Sequence, residues 1–282
     1  MRLNDLDFHV EIDGADTDPD TDKGPPLLLL HGFTGSVRAW DAVRPALAAA
    51  GRTVALDLIG HGRSAAPADA QRYTLEWSTR DLSRLLDGLR LDVVDVLGYS
   101  MGGRVALHFA AQAPERVRTL ILESASPGIE DDQERQRRVQ SDALLAERIL
   151  RDGISAFVAE WERVPLLATA PHVAESVRLR HTALRLDNDP LGLANSLRGM
   201  GAGQQTPLWP VLPQLPARVV LIVGERDARY CAIAQRMHAL LPASQLAVVP
   251  EAGHTVHVDQ PEAFVGLVRA AMTRSHDVPS AE

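Results

Sequence analysis

The chain has 282 residues, of which 45% are hydrophobic and 23% charged, a balance typical of one large globular domain. The formal net charge of −8, from 29 basic and 37 acidic residues, argues against general nucleic-acid binding. No apolar run approaches the roughly 18 residues of a membrane-spanning helix, and the first ten residues (MRLNDLDFHV) are too acidic for a secretory signal. A single cysteine, Cys231, excludes an internal disulfide and a cysteine-based metal cluster. We therefore expect a cytoplasmic protein.

Short apolar runs alternate with longer helical patterns along most of the chain. The runs indicate strands that are buried on both faces, at 27–30, 53–57, 93–97, 119–122, 219–223 and 246–249. The patterns between them predict helices at 38–50, 79–89, 104–113, 232–240 and 261–272. Such alternation predicts an α/β fold with a mostly parallel central sheet flanked by helices. The acidic segment 13–23 is expected to be a surface loop, and the tail after Arg274 is expected to fray.

One long segment breaks this alternation. Between about residues 129 and 217 no core strand is evident, and helical patterns occur around 136–150, 155–163, 172–184 and 192–200. The sequence therefore predicts a helical cap (129–217) inserted before the last two core strands. The core is predicted to comprise 1–128 and 218–282.

A nucleophile elbow is indicated by the segment GYSMG, with Ser100 at its centre. It has the pattern G-x-S-x-G, and it lies after a predicted strand and before a predicted helix. The glycines allow a tight strand-to-helix turn that exposes the serine hydroxyl. The alternative is a glycine-rich packing turn. In this architecture the oxyanion-hole amides are those of Met101, after the nucleophile, and of Phe33, in the loop that follows strand 27–30.

A serine nucleophile or base needs a histidine, and the histidine needs an acid to orient it. His254 follows the last predicted strand and is preceded by a glycine, whereas His257 is its rival three residues later. Asp227 follows strand 219–223 and is the preferred acid; Glu225 and Glu123 are the alternatives. The chain order Ser100, Asp227, His254 is the order of the α/β-hydrolase fold.

Several segments indicate a particular family more specifically than the triad does. They are HGFTG (31–35), LGYSMGGR (97–104), ESASPGI (123–129), FVAEWERVP (157–165) and GLANSLRGMGAGQQTPLW (192–209). Together they resemble the 2-succinyl-6-hydroxy-2,4-cyclohexadiene-1-carboxylate synthases of menaquinone biosynthesis, over about residues 25–272. A departure is Ala202, which stands where a threonine is expected in a GTG-like turn.

This resemblance implies an elimination, not a hydrolysis. The substrate would be 2-succinyl-5-enolpyruvyl-6-hydroxy-3-cyclohexene-1-carboxylate, and the enzyme would remove a proton next to the ketone and expel pyruvate. Ser100 would act as the base, with His254 and Asp227 behind it. The amides of Phe33 and Met101 would hold the enolate oxygen as they would hold the oxyanion of an esterase.

The resemblance also implies a set of substrate-binding side chains. The substrate carries three carboxylates, which the planar fork of arginine matches with paired hydrogen bonds. Ten arginines lie in the predicted cap, and most are expected on solvated helix faces. Family positions single out Arg138 and Arg185 there, and Arg104 one turn past the elbow. Tyr99 and Trp161 also match substrate-lining positions, although Trp161 follows Phe157 by four residues and is nearly as well explained by packing in the cap.

Two other functions use the same residues. A serine hydrolase, an esterase or a carbon–carbon bond hydrolase, would employ the triad for acyl transfer, but a lipid or simple-ester hydrolase would favour an apolar cap. A non-catalytic binding module would have no need for both the triad and the oxyanion loops. No metal or organic cofactor is expected. The predicted partner is a small polycarboxylate substrate, with no nucleic acid and no membrane, and the protein is expected to be a monomer or a small homo-oligomer.

Overall fold

The computed structural model describes residues 1–14 and 24–273. Most of the predicted acidic loop, and the predicted frayed tail, lie outside the described residues. The strands are β1 (Arg2–Leu3), β2 (Leu6–Asp7), β3 (Val10–Asp13), β4 (Leu27–Leu30), β5 (Thr53–Leu56), β6 (Val94–Tyr99), β7 (Val117–Glu123), β8 (Arg218–Gly224) and β9 (Ser244–Val249). The helices are α1 (Arg44–Ala48), α2 (Leu75–Leu89), α3 (Met101–Gln112), α4 (Asp132–Trp161), α5 (Glu175–Leu186), α6 (Pro190–Met200), α7 (Ala228–Leu240), α8 (Val256–Asp259) and α9 (Pro261–Thr273).

Strands β3 to β9 form one seven-stranded sheet in the order β3-β5-β4-β6-β7-β8-β9. Strand β3 pairs antiparallel with β5, and the other neighbouring strands of this sheet are parallel. Strands β1 and β2 pair separately. The predicted α/β class, with a mostly parallel sheet flanked by helices, is confirmed.

Both faces of the sheet are covered, which explains the unbroken apolar runs. Successive side chains of a strand point to opposite faces. Leu28 and Leu30 accordingly join one buried cluster with residues of α2, α3 and α7, whereas Leu27 and Leu29 join a second cluster with residues of α1 and α9. Because strands β4 to β9 run in the same direction, their carboxyl ends lie at one edge of the sheet, where the loops can carry functional groups.

The predicted helix 38–50 is divided in the structure. A 3₁₀ turn at Val37–Trp40 is followed by the short helix α1, which has a proline in its first turn. Pro45 lacks an amide N–H, so it fits the start of a helix but not its interior. The predicted continuous helix at 38–50 is therefore wrong.

The residues between β7 and β8 form a helical insertion (residues 124–217) that contains α4, α5 and α6. Helix α4 runs through Gly153, whose φ of 81° and ψ of 169° are not helical. This kink separates the two helices that the sequence predicted at 136–150 and 155–163. Leu193 and Leu197 of α6 pack with Ile149 and Phe157 of α4 in a small apolar cluster.

Asparagine side chains join this insertion to the loops of the sheet. Asn195 of α6 donates from its amide nitrogen to the carbonyls of Pro67 and Ala68. Asn188 donates to the carbonyl of Thr34 at 2.9 Å and accepts from the amide of Gly62 at 3.0 Å. These contacts hold α6 and the connection between α5 and α6 beside the carboxyl edge of the sheet.

The described residues contain neither a candidate membrane span nor a candidate metal site. Within 1–14 and 24–273, no helix has both the length and the hydropathy needed to cross a membrane. In that same part of the chain, no group of three or more His, Cys, Asp and Glu side chains is arranged to hold a metal ion. Cys231 is a free thiol that donates to the carbonyl of Gly224 at 3.3 Å.

Candidate active site

Ser100 lies in the sharp turn between β6 and α3. Its φ of 50° and ψ of −106° are strained for a residue with a side chain, as a nucleophile elbow requires. The turn is possible because the flanking glycines have no Cβ. A Cβ on Gly102 would lie 2.2 Å from the carbonyl oxygen of Leu30, and one on Gly98 would lie 2.5 Å from that of Gly102. The two glycines allow the turn to pack directly against β4.

The structure brings Ser100, His254 and Asp227 together from three separate loops. Nδ1 of His254 lies 2.7 Å from Oδ2 of Asp227, and Nε2 of His254 lies 3.1 Å from Oγ of Ser100. Asp227 and His254 are almost fully buried. With the proton placed on Nδ1, His254 donates to Asp227 and its Nε2 is free to accept the Ser100 proton. The arrangement therefore has the hydrogen-bond pattern of a charge-stabilised serine base or nucleophile.

The three alternative residues lie elsewhere. Glu225 accepts from the backbone amide of Glu251 at 3.2 Å. Glu123 and His257 pair with each other, at 2.7 Å between Oε2 and Nδ1, and both side chains are buried. Sequence reasoning considered each of them as a rival within the triad; it did not foresee that two of the rivals form a second pair.

The two candidate oxyanion-hole residues flank Ser100. Met101 is the first residue of α3, a position whose N–H has no partner within its own helix and points out of the helix end. Phe33 lies in the turn after β4, which is closed by a hydrogen bond from Gly35 N–H to the Gly32 carbonyl. Both residues line the same cavity as Ser100. Their amides are proposed to stabilise negative charge on a substrate oxygen.

Buried side chains hold the Phe33 loop in place. Nε2 of His31 accepts from the amide of Leu58 at 3.0 Å, while its Nδ1 donates to the carbonyl of Gly32 at 2.8 Å. Burial lowers the pKa of His31 to about 4, so the ring is neutral at physiological pH and can accept at Nε2. Asp57, after β5, accepts from the amide of Val37. The loops after β4 and β5 are thus fixed to each other.

A cavity of about 340 Å³, called the main cavity below because Ser100 lines it, opens between the carboxyl edge of the sheet and the helical insertion. Ser100 and His254 line it from the sheet, and α4 and α6 line it from the insertion. Its volume is within the range of small-molecule sites. Ala202, the departure from the family pattern, also lies on its wall.

Two of the three predicted substrate-binding arginines line the main cavity. Arg104, one helical turn after Ser100, donates to the carbonyl of Met200 at 2.7 Å. Burial lowers the pKa of Arg104 to about 10, so its guanidinium is still charged at neutral pH. Arg138 donates from Nε to Oδ1 of Asp142 at 2.8 Å, and the other oxygen of this carboxylate is buried without a hydrogen-bond partner.

The third predicted arginine, Arg185, lines a small side cavity of about 50 Å³ and donates to Glu162 at 2.8 Å. Tyr99 lines the same side cavity, and its hydroxyl is 2.8 Å from Oγ1 of Thr255. Trp161 lines both cavities. Its ring packs edge-on against Phe33 at 5.4 Å, so these two aromatic rings stand at the boundary between them.

Sequence reasoning missed several residues of the main cavity. Arg229 and Tyr230 line it from the first turn of α7, and the buried Ser196 and Gln205 line it from the insertion. Tyr230 could have been found, because it follows Asp227 by three residues in a predicted strand-to-helix connection. Ser196 and Gln205 lie in the family-like segment 192–209, which points to the segment, but which of its side chains reach the cavity depends on tertiary packing.

Comparison with known proteins agrees with this geometry. Residues 25–261 match the family model described as the alpha/beta hydrolase fold. The chain belongs to that fold family. A Bacillus subtilis protein, provisionally named 2-succinyl-6-hydroxy-2,4-cyclohexadiene-1-carboxylate synthase, is 44% identical over 89% of this chain and 93% of its own. The synthase of that name from Klebsiella pneumoniae subsp. pneumoniae is 34% identical over 88% of this chain and 95% of its own.

The solved structure of MenH from S. aureus superposes with a TM-score of 0.87 at 30% identity, covering 93% of this chain and 97% of that one. Within the α/β-hydrolase fold, the chain belongs to the family of 2-succinyl-6-hydroxy-2,4-cyclohexadiene-1-carboxylate synthases. The family resemblance found in the sequence motifs is confirmed.

Proposed function

We propose that this protein catalyses the elimination of pyruvate from 2-succinyl-5-enolpyruvyl-6-hydroxy-3-cyclohexene-1-carboxylate in menaquinone biosynthesis. The product is 2-succinyl-6-hydroxy-2,4-cyclohexadiene-1-carboxylate. The observation that carries the proposal is the 44% identity to the Bacillus subtilis relative over nearly the whole of both chains. The hydrogen-bonded triad facing an arginine-lined cavity supports it.

In the proposed reaction, Ser100 is the base. Its hydroxyl proton passes to Nε2 of His254 as its oxygen takes the proton from the carbon next to the substrate ketone. Asp227 stabilises the imidazolium that forms. The electron pair of the broken C–H bond moves onto the ketone oxygen, which the amides of Phe33 and Met101 stabilise.

Collapse of this enolate completes the elimination. The electron pair returns through the ring, the double bond shifts, and the bond to the enolpyruvyl oxygen breaks. The leaving group departs as the enolate of pyruvate and receives a proton, which the imidazolium of His254 can supply. Ser100 forms no covalent bond to the substrate, and this distinguishes the proposal from acyl transfer by the same triad.

The cations of the main cavity suit an anionic substrate. Arg104 and Arg138 lie on its wall, and each guanidinium has N–H groups besides the one already bonded to Met200 or Asp142, so both are proposed to bind carboxylates. Arg185 is proposed to bind a further carboxylate, which requires it to leave Glu162 or to share it. Trp161, at the boundary between the two cavities, and Tyr99, in the side cavity, are proposed to contact the ring system.

We also infer the arrangement in which the enzyme works. Residues 129–217 form a cap over a core of 1–128 and 218–282, as the position of α4 and α6 on the cavity wall supports. The negative net charge of −8 supports a small-molecule substrate without a nucleic-acid partner. The protein acts in the cytoplasm as a monomer or a small homo-oligomer, which sedimentation of the purified protein would test.

The function is tested by two assays on the same purified protein. One supplies the enolpyruvyl substrate, freshly made by the preceding enzyme, and follows pyruvate release together with diene absorbance. The other supplies activated short-chain esters. We expect rapid pyruvate release and little ester cleavage, with both lost in Ser100→Ala. Ester cleavage through a trapped acyl-Ser100, without pyruvate above background, would instead identify a serine hydrolase.

A further inference from the structure

A third arginine lines the main cavity in addition to Arg104 and Arg138. Arg229 lies in the first turn of α7, two residues after Asp227, and next to Tyr230 on the cavity wall. Its side chain is 63% exposed, which places its guanidinium group at the mouth of the cavity.

The three cavity arginines differ in how their N–H groups are used. Arg104 donates to a carbonyl at 2.7 Å and Arg138 donates to Asp142 at 2.8 Å. Arg229 instead faces Glu134 of α4 with 3.8 Å between Nη2 and Oε1, which is beyond hydrogen-bond distance. Arg229 is therefore the cavity arginine whose donors are the least committed within the part of the chain that the structure describes.

The charges of these arginines converge on one point in the cavity. Burial raises the pKa of Tyr230, and the positive charges of Arg104, Arg229 and Arg138 oppose that rise. All three arginines therefore act electrostatically on Tyr230, whose ring packs edge-on against the His254 ring at 4.6 Å. An anion at this end of the cavity would be attracted by all three.

We infer that Arg229 binds a carboxylate of the substrate at the cavity mouth, and that this carboxylate replaces Glu134 as its partner. The inference rests on the proposed function, because it names a further binding residue for the same polycarboxylate. Glu134 holds the guanidinium near the opening until substrate arrives. The exchange of one carboxylate for another conserves charge, and the incoming one can approach to hydrogen-bond distance.

A structural explanation competes with this one. Arg229 and Glu134 could simply fasten α7 to α4. A matched control lies nearby, since Arg236 of α7 donates to Glu130, two residues before α4, with 2.9 Å between Nη2 and Oε1. Neither Arg236 nor Glu130 is among the residues that line the main cavity. This pair joins α7 to the segment just before α4 without lining the cavity.

The test compares Arg229→Gln, Glu134→Gln and Arg236→Gln. Each is made in the wild type, for pyruvate release, and in a Ser100→Ala background, for calorimetric titration with the enolpyruvyl substrate. We expect Arg229→Gln to weaken binding about tenfold, as for the loss of a hydrogen bond to a charged group. Glu134→Gln should tighten binding by about two- to fivefold, because it removes an exposed competing charge. Arg236→Gln should leave binding unchanged.

Opposite signs for Arg229→Gln and Glu134→Gln are the signature of the exchange. Equal weakening by both would mean that the pair only fastens the helices, and unchanged binding in Arg229→Gln would remove it from the site. If the proposed function were wrong, the wild type would release no pyruvate. The titrations would still show whether Arg229 contributes to binding. If the substrate bound to no form of the protein, both proposals would fall.

Discussion

Two buried histidine–carboxylate pairs lie at the carboxyl edge of the same sheet. In each, a carboxylate oxygen is 2.7 Å from Nδ1 of its histidine: Asp227 with His254, and Glu123 with His257. The pairs differ in what else they touch. Nε2 of His254 meets Ser100 at 3.1 Å, beside the main cavity. The ring of His257 instead packs against Trp40 at 4.7 Å.

The second difference is what each carboxylate holds. Glu123 accepts from the backbone amide of His257 at 3.0 Å as well as from its ring, so it fixes the chain at α8. Asp227 accepts from the amide of Tyr230 at 3.1 Å and so caps α7. A histidine–acid pair is therefore no indication of catalysis by itself. What matters is whether the second ring nitrogen meets a group that can transfer a proton at a cavity.

Ser100→Ala has the largest expected effect. It removes Oγ of Ser100, the hydrogen-bond partner that distinguishes His254 from His257. We expect kcat for pyruvate release to fall by about 10⁴-fold or more, as in other serine triads. The thermal midpoint should change little, because only a small hydroxyl at a cavity is lost. Steady-state kinetics and thermal melts measure the two quantities. Retention of a tenth of the activity would show that another group removes the proton.

Asp227→Asn tests whether the first pair acts through charge. Asparagine keeps the size of the side chain but cannot stabilise an imidazolium, and it favours the wrong tautomer of His254. We expect kcat to fall by about 10³- to 10⁴-fold. Glu225→Gln is the control two residues away, and it should keep normal kinetics. If Glu225→Gln were the more damaging change, Asp227 would not be the orienting acid.

Glu123→Gln makes the equivalent change in the second pair. The amide oxygen can still accept a hydrogen bond but carries no charge, so we expect the free energy of unfolding to fall by about 2 kcal/mol. The kcat of the folded fraction should stay within about threefold of wild type, because the hydrogen bonds from His257 to Glu123 fix the chain at α8 and take no part in the proposed reaction. Chemical denaturation and kinetics at matched folded fractions separate the two effects. A thousandfold loss of kcat with normal stability would place Glu123 in the reaction.

The parallel core could be predicted closely from the sequence. The predicted run 27–30 is β4, and the other five core strands were placed within about two residues, because strands covered on both faces have a strong apolar signal. Strands β1 to β3 were not placed. They are short and partly exposed, and their segment contains Asp5, Asp7 and Glu11, so the pattern resembles a polar loop.

That Ser100, Asp227 and His254 lie together could be predicted because each follows a strand in a fixed chain order. The side chains proposed to bind the substrate could not be placed with the same accuracy. Arg185 and Arg138 lie on different helices of the insertion and line different cavities. Which cavity an arginine lines depends on helix packing and on pairs such as Arg185 with Glu162, which no local pattern encodes.

Tyr99 contacts both histidine–carboxylate pairs, because its ring lies between them, and its substitution has the smallest expected effect. It is 5.6 Å from the His254 ring and 5.0 Å from the His257 ring. Tyr99→Phe removes its hydrogen bond to Thr255, and Thr255→Val removes the same bond from the other side. We expect each to lower the free energy of unfolding by about 1 kcal/mol and kcat/KM by less than about threefold. A tenfold rise in KM confined to Tyr99→Phe would contradict this expectation, and would show that the substrate contact proposed for Tyr99 is made by its hydroxyl and not by its ring alone.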